Sequence, residues 1–338
     1  PESVRIIEYN EEGIPLSEIP YQMDKRADFD PKFNADVNLI WIIRKPLEAK
    51  SNKYFCVYFD VVKKEPIPKS KVKYEYKGLG LSKSGKGYQV KNERLKVEII
   101  PSDSNISLIH SWIVRNMSTG IFTNLNLLSY RKVDSLYDQT CFGAIPGFDK
   151  DSGIALERPP AMGNLLVRCK AVSQGGHSYL FNFYENLPIC EIFCDSRQTE
   201  FHNSYIVPLS YIKRAEYLFS NYVKGNVSSE QSLKISQPDT FWLAQKIVNG
   251  LTIASLTPEN RVSYYLKTHP LKSDFQVSFG VNIPQMIDTG KGFYHCILYA
   301  DKTEEDTFNL MNRIKSIFTL DNLPVIQRNR TEKLLSNH

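Results

Sequence analysis

The chain has 338 residues, 42% hydrophobic and 23% charged, which excludes a disordered chain, a collagen-like repeat and a disulfide-dense miniature fold and favours two domains with real cores. Lys and Arg number 42 against 37 Asp and Glu, an excess of +5 spread along the whole sequence, so dedicated nucleic-acid binding has little support. The densest apolar runs, 38–43 and 53–59, have strand length, so no membrane span is expected.

Tyr outnumbers Phe and Trp, a habit of β-rich and sugar-contacting proteins. From Ser3 to Tyr9 the pattern is a short strand, followed by a turn at Glu11, Glu12 and Gly13, then an edge strand over Ile14 to Met23 in which two prolines bar a helix. Asn38 to Ile43 and Tyr54 to Val62 are rich in β-branched and aromatic residues, and both are expected as central strands of a small sandwich. The basic, Pro- and Gly-bearing stretch 63–86 marks a domain junction near Tyr76 to Gly87; its lysines read as a solvated linker or as a patch for an acidic polymer.

Beyond the junction the spacing predicts strands over Tyr88 to Ile100, Ile106 to Val114, Asn124 to Leu128, Asn164 to Val172, Ser178 to Tyr184, Ile189 to Cys194, Phe241 to Val248, Leu251 to Ser255 and Asp274 to Val281. Their turn spacing suits antiparallel sheets rather than alternating βα units, which defines an all-β fold. One amphipathic helix is predicted over Thr303 to Phe318, with Thr303 and Asp306 in a capping pattern. The division is then 1–80, a small Ig-like β-sandwich; 81–325, a large antiparallel sandwich; and 326–338, a polar tail.

Cys56, Cys141, Cys169, Cys190, Cys194 and Cys296 form no metal-finger spacing, and are expected to be buried apolar cysteines or scattered pairs. Cys190 and Cys194 on one strand would lie roughly 13 Å apart at about 3.3 Å per residue, beyond disulfide reach. Sequons at Asn105, Asn116, Asn226 and Asn329 match chance expectation and do not establish secretion. The start at Pro1 without a basic-then-apolar leader fits a processed or a trimmed chain.

YQVKNERLKVEIIPSDSNISLIHSWIV from Tyr88 resembles the opening of the galactose-mutarotase-like super-β-sandwich, in which a strand carrying Asn-Glu-x-Leu-x-Val leads through a polar turn into a second strand. FNFYENLPICEIF and FWLAQKIVNGLTIASLTPENRV fit the same plan, giving coverage from Gly87 to Asp301. IPYQMD, NADVNLIWII and KYFCVYFD look like the small sandwich that precedes this domain in large carbohydrate-related proteins. The resemblance implies the chemistry of aldose epimerases, polysaccharide lyases or glycoside hydrolases, and a concave sheet that receives sugar.

Such chemistry needs a proton donor and acceptor on one face, or two carboxylates bracketing a glycosidic bond. Glu200 and His202, two apart in TEFHNSY, share a face if the backbone is extended, with Tyr205 nearby; the alternative is a loop. His110 and Trp112 would share a face in LIHSWIV, an imidazole beside a stacking ring, and His177 is a further internal histidine. For a lyase, Arg158, Arg168 or Arg214 would neutralise a uronate carboxylate while His202 or Tyr205 takes the α-proton. Asp28, Asp30, Asn34 and Asp36 supply hard oxygens suited to Ca2+, as do Asp149 and Asp151 more sparsely, although Asx residues near Pro and Gly also make turns. No P-loop, GxSxG or HExxH pattern is present in the sequence.

Two functions follow as expectations. One is an extracellular or cell-surface carbohydrate-active protein that binds an oligo- or polysaccharide, with Glu200, His202, Tyr205 and Arg214 as catalytic candidates and His110, Trp112, His177, Arg158 and Arg168 as substrate contacts. The other is a non-catalytic surface or assembly protein whose sheet edges pair between subunits, giving self-association.

Overall fold

The computed structural model describes residues 4–25, 30, 33, 36–43, 51–59, 78–85, 87–99, 109–115, 122–124, 154–157, 159–173, 178–185, 187, 189–194, 200–208, 216–226, 234–246, 251–256, 263–270, 274–282, 294–302 and 307–318. The fold is all-β, with antiparallel pairing throughout the described sheets and one described helix.

The N-terminal sheet has the order β2-β1-β5, from β1 (Arg5–Tyr9), β2 (Pro15–Ile19) and β5 (Tyr54–Tyr58), and beside it β3 (Tyr21–Lys25) pairs with β4 (Val37–Trp41). Asn10 closes the first turn by accepting the Ile14 N–H on its side chain at 2.7 Å, and Gly13 takes the left-handed φ of 76° that a Cβ would penalise. The run Ile14 to Met23 is two strands of different sheets rather than one edge strand. Pro20, which carries no N–H for a ladder, stands between them.

The expectation of two central strands is also corrected. Among the described residues β5 pairs with β1 alone and β4 with β3 alone, while β1, whose Ile6 is wholly buried, is central. Tyr54, Val57 and Tyr58 of β5 are exposed. Apolar residues at consecutive positions signal two covered faces, but Tyr tolerates water through its hydroxyl, and the Tyr58 hydroxyl bonds that of Tyr9.

Next come β6 (Gly80–Ser84), β7 (Gly87–Lys91), β8 (Leu95–Ile99), β9 (Ile109–Arg115) and β10 (Phe122–Asn124), a meander ordered β10-β9-β8-β7-β6. The predicted strand Tyr88 to Ile100 is here a hairpin. Asn92 breaks it, its side-chain oxygen accepting the N–H groups of Arg94 and Leu95, both at 2.8 Å. Its Nδ2 donates to the carbonyls of Tyr184 at 2.7 Å and Leu187 at 3.1 Å, so the buried amide is satisfied at both ends and ties the hairpin to the large sheet.

The large sheet collects β11 (Ile154–Leu156), β12 (Ala161–Met162), β13 (Leu166–Ser173), β14 (Ser178–Tyr184), β15 (Ile189–Cys194), β17 (Glu216–Phe219), β18 (Lys224–Asn226), β20 (Trp242–Lys246), β21 (Leu251–Leu256) and β24 (Tyr294–Lys302). Its order is β11-β13-β14-β15-β24-β21-β20-β17-β18, with β12 alongside β13. Thus β24, late in sequence, lies between β15 and β21 and joins the two halves. A four-stranded sheet ordered β16-β23-β22-β19 uses β16 (Glu200–Pro208), β19 (Lys234–Gln237), β22 (Ser263–Pro270) and β23 (Asp274–Asn282). The described helix α1 spans Thr307–Phe318. The capping pair Thr303 and Asp306 lies outside the described residues.

On one face of β13 to β15, Val167, Cys169, Ala171, Phe181, Phe183 and Cys190 are buried at alternating positions and form core. Cys169 and Cys190 are buried thiols outside any disulfide, as small hydrophobes would be, whereas Cys56 is exposed. Burial pushes the Cys169 thiol up to about 12.

Candidate functional site

The opposite face of the same three strands is polar. Register places Arg168, Asn182 and Glu191 side by side across β13, β14 and β15. Arg168 Nε donates to Asn182 Oδ1 at 3.1 Å, and Asn182 Nδ2 donates to Glu191 Oε2 at 2.7 Å. The Tyr184 hydroxyl donates to the same Glu191 oxygen. Burial, and then the Glu191 charge, hold the Tyr184 phenol well above its ordinary range, so it acts as a donor and not as a base at neutral pH. Asn182 and Glu191 are buried, while Arg168 keeps 26% of its side chain exposed.

The N-terminal pair of strands reaches into this row. Asp24 Oδ2 on β3 meets Arg168 at 2.9 Å, and Gln22 Nε2 donates to Asp24 Oδ1 at 2.7 Å. Gln22 Oε1 accepts the N–H groups of Leu165 at 2.9 Å and Leu166 at 2.8 Å, which caps the turn between β12 and β13. Gly163 permits that approach, because a Cβ there would fall on the Gln22 amide. Lys170, two residues along β13, is paired with Glu157 at 2.6 Å.

Farther across the sheet the same face turns apolar. Ile189, Trp242, Ala244, Ala254 and Leu256 pack with Met311 of α1, and Phe308 joins them from the rim. Trp242 Nε1 donates to Asn312 Oδ1 at 3.0 Å, and its ring meets Phe308 edge-on with centroids 5.5 Å apart. Tyr222 stacks on Phe308 at 3.9 Å, and Lys315 Nζ stands 3.1 Å from the Phe241 ring centroid. Tyr184 borders both regions, since it also packs against this apolar cluster.

Of the residues singled out from sequence, Arg168 lies in the polar row. TEFHNSY belongs to the regular strand β16, not to a loop, with Glu200 opposite Asn282 and His202 opposite Gly280. Period-two alternation places Glu200 and His202 on one face of that strand and Tyr205, opposite Val277, on the other. That strand belongs to the four-stranded sheet, whereas Arg168 belongs to the large one. His110 and Trp112 are on β9, where Trp112 pairs with Val97 and His110 falls at a register shift, the extra residue between Ile109 and Ser111. Arg158, His177, Arg214, Asp28, Asn34, Asp149 and Asp151 lie outside the described residues. Asp30 accepts the Phe33 N–H on its side chain at 3.3 Å, Asp36 precedes β4, and among the described residues no three His, Cys, Asp or Glu groups are placed to hold a metal.

Asn182, Tyr184, Glu191, Asp24 and Gln22 are the site residues that sequence reasoning missed. For Asn182 and Glu191 a signal was present: each interrupts a short apolar stretch, FNFY and ICEIF, at a position a buried sheet would fill with hydrocarbon.

No family model matches the chain, and no curated protein matches it. Among solved structures, one titled for the crystal structure analysis of HI1317 is similar over 66% of this chain and 100% of that one, at 10% identity and a TM-score of 0.43. That similarity is too low to define a class. No helix among the described residues is long and apolar enough to cross a membrane.

Proposed function

We propose that the protein is an extracellular or cell-surface carbohydrate-binding protein of the galactose-mutarotase-like kind, receiving an oligo- or polysaccharide at the polar half of the large sheet. The observation that carries this reading is the row Arg168, Asn182 and Glu191, oriented by hydrogen bonds before any ligand arrives. Fixed donors and acceptors on a rigid sheet, with an aromatic ring beside them in Tyr184, suit a hydroxyl-rich ligand. Exposure of Asn226, the sequon residue at the end of β18, is compatible with glycosylation and so with the surface location. Cleavage by a lyase or hydrolytic route, with Glu200, His202 and Tyr205 on β16 and Ca2+ at the Asp30 loop, belongs to the same proposal. Incubation with a panel of neutral and acidic glycans, read by ultraviolet absorbance for unsaturated ends, by reducing sugar and by calorimetric binding, tests it. Binding with intact substrate would remove catalysis alone, and absence of binding across the panel would remove the whole reading.

A second reading, a non-catalytic assembly protein, draws on β5, which among the described residues pairs on one side only and whose Tyr54, Val57 and Tyr58 are exposed. Light scattering over a concentration series decides it: mass that rises with concentration supports self-association, and a constant monomer mass rejects it.

A further inference from the structure

The pairing of Arg168 with Asp24 bears on which glycan this face takes, and the inference rests on the carbohydrate reading above. We infer that the ligand of the polar row is an uncharged polyol rather than a uronic acid, which leaves the hydrolytic and not the lyase route of that reading, and that Asp24 is the specificity-determining residue. Arg168 is the cation of the row, and a substrate carboxylate would need it as an ion-pair partner. Asp24 already fills that role at 2.9 Å. Asn182 Oδ1 occupies the Nε side of the same guanidinium at 3.1 Å.

The charge balance of the row points the same way. Two carboxylates, Asp24 and Glu191, stand against one guanidinium, and the neighbouring Lys170 is neutralised by Glu157 at 2.6 Å. An arriving uronate would meet net negative charge at a partly desolvated surface, where like charges repel more strongly than in water. Nor is Asp24 easily displaced. Its strand is held to the sheet by Gln22, which bonds the N–H groups of Leu165 and Leu166 and donates to the Leu166 carbonyl at 3.2 Å. A tethered, oriented carboxylate competes with a free one at an effective concentration of about millimolar or more. A neutral sugar needs no displacement, because its hydroxyls can bond the exposed edges of Arg168 and Asp24 while the ion pair stays closed.

The test is Asp24→Asn in the full chain, a change that keeps the shape and leaves an oxygen for Gln22 while freeing the guanidinium. Wild type and variant are titrated calorimetrically with matched pairs, galactotetraose against tetragalacturonate and mannotetraose against tetramannuronate. The wild type is expected to favour the neutral member by about tenfold or more, and the variant to move that ratio toward the acidic member by about the same factor. A wild type that prefers the acidic member, or a ratio unmoved by the variant, overturns the inference. Inorganic sulfate supplies a second arm that needs no sugar. It should raise the thermal midpoint of Asp24→Asn, but not that of the wild type or of the double variant Asp24→Asn with Arg168→Gln, and an equal response in all three overturns the inference. If no glycan binds the wild type, the carbohydrate reading fails and the sulfate arm alone decides whether Asp24 blocks the cation.

Discussion

Two halves of one sheet face solve the same problem in opposite ways. Across β20 and β21 the face presents Trp242, Ala244, Ala254 and Leu256, and the chain covers them with its own helix, burying Met311 among them. Across β13 to β15 the face presents Arg168, Asn182 and Glu191, and these are satisfied by one another, by Tyr184 and by Asp24. Hydrocarbon is stabilised by being covered, whereas buried polar groups are stabilised only by complete pairing. The apolar half is therefore finished by packing. The polar half keeps a partly open cation, and that difference is why the proposed binding is placed there.

The comparison can be broken from the apolar side most severely. Trp242→Ala removes a fully buried ring and its bond to Asn312, and should cost about 3–5 kcal/mol in urea unfolding and loosen α1. A loss within experimental error would mean that α1 is not docked there. On the polar side, Glu191→Ala leaves Asn182 Nδ2 and the Tyr184 hydroxyl without their shared acceptor, and should cost about 2–4 kcal/mol. Adding Asn182→Leu and Tyr184→Phe, which removes those donors, should recover much of that loss. A mutant cycle over the three positions showing simple additivity would argue against a coupled row.

Gly163→Ala pushes the Gln22 amide out of its turn and should cost about 1–3 kcal/mol, read from the thermal midpoint. Unchanged stability would show that Gln22 does not anchor β3. Cys169 gives a pH dependence. Its thiol is raised from 9.0 to about 12 by burial, so below 9.0 folded and unfolded chains both hold the proton and its contribution is complete. As pH climbs above 9.0 the unfolded chain alone releases the proton, and stability falls by at most about 1.4 kcal/mol per pH unit until the folded value is reached. The stability gap between wild type and Cys169→Ala should therefore narrow with rising pH; a constant gap would place the thiol in water.

The smallest effect is expected at Tyr222. Its φ of 68° is a left-handed conformation that glycine would adopt without strain, at a gain of about 1 kcal/mol, yet the ring stacked on Phe308 contributes about 0.5–1.5 kcal/mol. Tyr222→Gly should be nearly neutral in stability, and a large shift of either sign in the denaturation midpoint would show that one term dominates.

The all-β class was legible because period-two runs with turn residues at short spacing are a backbone-level signal, and Ser178–Tyr184 and Ile189–Cys194 fall where the pattern puts them. Less legible was what interrupts a run. Asn92 and Pro20 each divide an apparent single strand, Asn92 by offering the backbone a competing hydrogen-bond acceptor and Pro20 by withholding a donor. Burial in the N-terminal sheet was misjudged because composition reports affinity for a core and not whether a neighbour arrives to cover it, as at Tyr54 and Val57. Within the site, Arg168 could be suspected as a cation, but Asp24 lies more than a hundred residues away in sequence. Their meeting depends on the Gln22 anchor, and no local pattern encodes that contact.

Hydrogen–deuterium exchange of the full chain, with and without a bound neutral oligosaccharide, tests the central claim most directly. Binding at the polar row predicts slowed exchange concentrated in Leu166–Ser173, Ser178–Tyr184 and Ile189–Cys194, with β3 protected beside them. Protection confined to Tyr54–Tyr58, or no change in the three central strands at saturating ligand, would contradict it.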